Sequence, residues 1–240
     1  MRTSLIASLL LIMVSCAEIS IPTSFPTSIP TGSKPLTTAE ITEGLKEALK
    51  VGAKNSTGLV SQTDGFFKNS QIFIPFPPEA EKVKSTLIKA GFTKQVDEFT
   101  LTLNRAAEEA TKKALPIFVD AITSMTISDA MGILKGEDNA ATEYLKRTTS
   151  SQLQTAFKPI ARDAINKVNL TSYWEPLATN YNRITLLTGG KAVNPNLEDY
   201  VIQKAIDGLF ILIAKEEKSI RENPAARVND ILKRVFANTK

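Results

Sequence analysis

The chain of 240 residues contains no histidine. That absence removes every Ser-His-Asp or Cys-His nucleophile system and every histidine-ligated zinc or iron site. A single cysteine removes disulfides and thiolate clusters. Aromatic residues make up only 7%, with one tryptophan. The excess of 29 basic over 25 acidic side chains, +4 overall, is too small and too scattered to imply nucleic acid. No cofactor is implied by any motif, since Gly189-Gly190-Lys191 lacks the spacing and preceding strand of a phosphate loop and reads as a turn. What is present is an apolar content of 42% with 22% charged, the balance of a globular chain with a real core.

The one long apolar run lies at the amino terminus. Leu5 to Val14 follow Arg2 and are interrupted only by Ala7 and Ser8. About 20 apolar residues are needed to span a bilayer as a helix, so the run reads as a secretory signal over residues 1–15. It stops at Met13-Val14-Ser15-Cys16, which resembles the lipobox of bacterial lipoproteins, with Met13 in place of the usual leucine. The resemblance implies that Cys16 carries the lipid and that the chain is cut just before it. The alternative is an ordinary signal-peptidase cut after Ala17, which releases a soluble periplasmic protein. Ala17 is also not the aspartate that resembles an inner-membrane retention signal, so the outer membrane of a two-membrane bacterium is favoured. Residues 16–36 form a Pro/Thr/Ser-rich tether, with a Pro-Thr-Ser repeat at Pro22 and Pro26 that degenerates at Pro30. At about 3.1 Å per residue its extended part reaches roughly 50 Å from the lipid.

From residue 37 to 240 the apolar period is helical. Thr37 and Glu40 form a capping box for a helix with Ile41, Leu45, Ala48, Leu49 and Gly52 on one face. Gly58–Asn69 reads as a polar loop turning at Asp64-Gly65. Ile72–Pro78 looks extended, but its prolines confine it to an edge or a loop laid across apolar surface. Pro78 opens a helix ending at Ala90-Gly91, and another runs from Thr93 to Ala114. Pro116 opens a short helix, and Thr126 with Asp129 caps the next, which ends at Gly136. Asp138 is expected to cap a further helix, and Thr149 with Gln152 to open a longer one kinked or split at Pro159. Tyr173-Trp174 begins a short helix before a turn-rich gap, and Val228–Phe236 forms a last amphipathic one. Residues 196–222 are apolar almost all round and are expected to be the central buried helix. The fold class is all-α: a single multi-helix bundle preceded by the tether.

Several segments resemble an uncharacterised bacterial family of domains of unknown function, many of them expected to be exported. They are Gly44–Leu49, Asp64–Phe66 through Ile72–Pro77, Asn104–Glu108, Pro116–Ile122, Met125–Ala130, and Asp207–Phe210 with Ala214–Glu217. The resemblance implies a helical domain in the cell envelope and brings no substrate, cofactor or catalytic residue.

The remaining chemistry lies in carboxylates. Asp120 and Asp207 each stand in an apolar helical stretch, where an unpaired buried carboxylate is costly. Arg105, in an alanine-rich segment, is the natural partner. These three form either a buried polar network that fixes helix packing, the polar floor of an interhelical pocket, or an acid–base pair. The first reading makes Asp207→Ala costly by a few kcal/mol. Glu108-Glu109 and Glu216-Glu217 read as solvated helix positions. Phe66-Phe67 and Phe76, like Tyr173-Trp174, read as core edge, or as a ligand patch if exposed. The functional expectation is a lipid-anchored envelope protein, binding a partner or ligand without catalysis. The alternatives are a histidine-free enzyme using paired carboxylates and a helical carrier for an apolar small molecule.

Overall fold

The computed structural model describes residues 36–89, 91–167 and 196–223, with single positions at 179, 182, 183, 186, 192, 230, 233 and 234. The signal, Cys16, most of the tether and Tyr173-Trp174 lie outside the described residues. Of the last amphipathic helix, Asp230, Lys233 and Arg234 are described and are helical. The described elements are all helical, with no strand among them, as the apolar period dictates.

Helix α1 spans Thr38–Val60 and starts at the capping box, where Thr37 Oγ1 accepts the Glu40 amide and Glu40 accepts the Thr37 amide. It continues eight residues past Gly52, the last position of the apolar face read from sequence. Thr57 takes part in this extension by returning its hydroxyl to the Ala53 carbonyl, 2.7 Å away. The chain then turns at Asp64, whose φ of 69° lies in the left-handed region. Gly65 follows because a Cβ there would sit 2.5 Å from the Val60 carbonyl oxygen.

The segment Ile72–Pro77 buries Ile72, Ile74 and Phe76 in alternation. No neighbouring strand serves it. Asn104 takes that role, accepting the Ile74 amide (2.9 Å) and donating to the Ile74 carbonyl (2.8 Å). A 3-10 turn at Pro78–Ala80 leads into α2 (Glu81–Lys89), and Gly91, at φ 91°, reverses the chain into α3 (Thr93–Thr111). Helix α4 (Ala114–Thr123) begins two residues before Pro116, which sits in the first turn where its missing amide leaves no bond unmade. Thr126 and Asp129 cap α5 (Ile127–Lys135) reciprocally, as their spacing predicts.

Residues 140–166 correct the sequence reading, because they form one helix, α6 (Ala140–Asn166), with no break at Thr149 or Pro159. The hydroxyls that resembled a new cap turn back on their own helix: Thr149 donates to Leu145 O and Ser150 to Lys146 O. The residue before α6 is Asn139, not Asp138, and makes no side-chain cap.

Helix α7 (Leu197–Glu222) is capped by Asn196, whose Oδ1 accepts the Glu198 and Asp199 amides. It packs against α1, α3 and α6. It is not buried on every side, because Gln203, Asp207, Ile211 and Lys215 recur every four residues on a face open to solvent, where Ile211 is 46% exposed. Gly208 faces inward, and a Cβ there would lie 2.7 Å from Phe66 Cε1. The core gathers Phe66, Phe99, Phe118, Leu153, Phe157 and Leu209, all fully buried. Phe66 and Phe76 therefore belong to the interior, while Phe73 is 37% exposed beside the half-buried Phe67.

Candidate functional site

Helix α3 presents Arg105 and Glu108 one turn apart toward the loop that follows α1. Arg105 Nη1 donates to Glu108 Oε2 at 2.6 Å, and its Nη2 donates to Asp64 Oδ1 at 2.6 Å. Glu108 is 4% exposed, and its other oxygen accepts the amides of Phe66 (3.1 Å) and Phe67 (3.2 Å). The left-handed Asp64 is what turns these two consecutive amides toward α3, creating a small anion-accepting concavity that Glu108 fills from within the chain. Lys68 closes the other side of Asp64 at 2.7 Å, and the Arg105 guanidinium lies 5.7 Å from the centre of the Phe67 ring. Lys68 first, and Arg105 after it, holds the Asp64 carboxyl below the usual carboxylate range. Glu108, then Asp64, raises the Arg105 guanidinium above its ordinary value.

This clasp forms one wall of an open cleft of about 830 Å³ between α3 and α6. Its apolar floor is Ala106, Ile160 and Ala164. Charges of both signs surround that floor: Glu98 and Glu109 from α3 with Lys112 just after it, and Asp163 from α6 with Lys167 just after it. A far smaller space, about 20 Å³ beside Leu45, Ile133 and Ile220, holds no more than a water.

The residues expected to share a network do not meet. Asp120 is exposed on α4, because Phe118 and Ile122 take the inward positions on either side of it. Asp207 is half-buried on the open stripe of α7 and accepts only the Gln203 side chain, at 2.8 Å. Arg105 instead pairs with Asp64 and Glu108, and the buried carboxylates are Glu108 and Glu217, both of which read as solvated. Glu217 is 6% exposed and caps α6 from outside, accepting the amides of Ala141 (3.0 Å) and Thr142 (2.8 Å). Arg221 binds the same carboxylate at 2.9 Å and extends to the Ile133 carbonyl. The sequence did carry a signal for both. Glu108 falls on the Leu103, Ala107, Thr111 face of α3, and Glu217 on the Ile213, Ile220 face of α7.

Among the described residues, no group of three or more acidic or cysteine side chains is placed to hold a metal ion. No single described helix is long and apolar enough to cross a membrane. The described residues define a helical bundle in which the buried Glu108 and Glu217 cap backbone amides, Glu108 beside an open, mixed-charge cleft. The chain belongs to the family described as a protein of unknown function (DUF4197), which matches residues 35–237. No curated protein and no solved structure matches it.

Proposed function

We propose that this chain is a lipid-anchored cell-envelope protein, held by Cys16 in the outer membrane of a two-membrane bacterium, whose helical domain binds a polar partner without catalysis. The observation that carries the binding reading is the open cleft of about 830 Å³ between α3 and α6. Its rim alternates sign around a narrow apolar floor, which suits an extended, zwitterionic partner such as a polypeptide segment better than an apolar small molecule. Support for binding over acid–base chemistry comes from the buried carboxylates. Glu108 accepts two backbone amides and Arg105, and Glu217 accepts two backbone amides, the Thr142 hydroxyl and Arg221, so both carboxylates are engaged in holding the fold. The signal-like run before Cys16 and the proline-rich tether after it support placement outside the cytosol.

Photo-crosslinking in cells tests the cleft. A photoreactive residue at Gln95 or at Thr102 is expected to trap the same adduct, and Ala164→Trp, which fills the floor, to abolish it. Equal trapping from Lys135, on the exposed side of α5, contradicts the assignment.

A further inference from the structure

A second groove, of about 590 Å³, runs between the last turns of α1 and the C-terminal half of α7, and shares no described lining residue with the α3–α6 cleft. Four side-chain amides stand in its wall, Asn55, Gln62, Asn69 and Gln71, beside the apolar surface of Leu59 and Leu212. Each is used only in part by the protein. Asn55 donates its Nδ2 to Glu216 at 2.8 Å, which leaves its carbonyl oxygen facing outward as an acceptor. Asn69 accepts the Gln71 amide at 3.1 Å, which leaves its NH₂ group as a donor. The Gln71 oxygen receives Lys215 at 3.5 Å, and again the NH₂ group remains. Gln62 is exposed, with both ends available.

Ser56 gives this groove a built floor. The residue is 4% exposed, yet its hydroxyl makes no hydrogen bond within the described protein. Among the described residues no fully enclosed side-chain polar atom lacks a partner, so this hydroxyl is reached through the groove. A deep hydroxyl left for an outside partner, ringed by half-used amides, is the arrangement of a ligand site and not of a packing contact. Leu59, 54% exposed at the rim, adds a single apolar contact.

We infer that this groove is a saccharide site that takes N-acetylated sugar units. An acetamido group offers one donor and one acceptor, the same pair that a carboxamide offers, so the two bond reciprocally. The acetamido methyl matches Leu59, and the ring hydroxyls match Ser56 and the remaining amide ends. Lys54 and Lys215 offset Glu216 in the lining, which leaves the groove weakly basic and open to an uncharged ligand. A peptide fits less well, since the groove offers the exposed Leu59 and the buried Leu212 in place of a row of side-chain pockets. The volume lies within the range of about 300–1,000 Å³ typical of small-ligand sites.

The test is a titration of the full chain in detergent with the linear trimer of N-acetylglucosamine, set against the matching glucose trimer and trialanine. Saturable binding of the acetylated trimer alone is expected. Ser56→Ala and Gln62→Ala should each weaken it about three- to tenfold, the loss of one hydrogen bond, with the melting temperature unchanged. Thr102→Trp, in the other cleft, should leave it intact. No saturable binding of the acetylated trimer, equal binding of the glucose trimer, a preference for trialanine, or indifference to both groove variants overturns the assignment.

Discussion

Glu108 is the residue on which the loop between α1 and α2 is hung. Two backbone amides and one guanidinium converge on a carboxylate that is nearly out of water. Glu108→Gln keeps the shape but turns an NH₂ group against Arg105 or against the amides. Chemical denaturation should show a loss of about 2–3 kcal/mol. Asn104→Ala strips both polar groups of Ile74 of their partner inside the core, and the same measurement should record about 2–4 kcal/mol. Asp207→Ala, in contrast, removes a half-exposed group bonded to one glutamine, so its cost falls to within about 0.5 kcal/mol. A role for Arg105 is legible from its alanine-rich surroundings, but its partner Asp64 is 41 positions away, a pairing that only the folded loop defines. Asp120 and Asp207 mislead because an apolar stretch of helix still has an outer face.

Acid sensitivity belongs to the same scale. Lys68 and then Arg105 lower the Asp64 carboxyl, and Thr126, through its hydroxyl and its amide, lowers that of Asp129. A carboxyl with a folded pKa below its unfolded value stabilises the fold above the unfolded pKa. That contribution is lost as the pH falls through the folded value. Melting temperature should therefore decline below about pH 4, and the decline should be shallower in Asp64→Asn. An unchanged acid limb in that variant removes Asp64 from the account.

At the scale of the elements, what the sequence states most clearly is where helices begin. Thr37 and Thr126 cap as their spacing predicts, because a cap is a contact within four residues, and Asn196 does the same for α7. Thr126→Ala should cost about 1 kcal/mol in thermal denaturation, a local effect centred on α5. Continuity is harder to read. The Thr-Thr-Ser-Ser stretch at 148–151 has the composition of a helix start, yet its hydroxyls bond one turn back and α6 runs through. The closeness of α7 to the Phe66 loop rests on one absent methyl. Gly208→Ala places a carbon 2.7 Å from Phe66 Cε1, and overpacking of this kind should cost about 1–3 kcal/mol. A wild-type melting temperature in Gly208→Ala shows that the aromatic ring can move aside.

For the whole molecule, the bundle and its address are separate matters. The helical domain follows from its apolar period and its family, whereas the address rests on the first sixteen residues. Each buried methylene of an acyl chain contributes about 0.8 kcal/mol, so the lipidation proposed for Cys16 requires two or three chains for a firm anchor. Cys16→Ser should abolish labelling by an alkyne fatty acid and leave the signal uncleaved.

The most direct measurement is mass spectrometry of the amino-terminal peptide from the mature protein, isolated from its native host. Lipidation at Cys16 predicts a peptide beginning at Cys16 and carrying the mass of a diacylglycerol, with or without a further acyl chain on its amine. A peptide beginning after Ala17, or one retaining Cys16 as a free thiol, contradicts it.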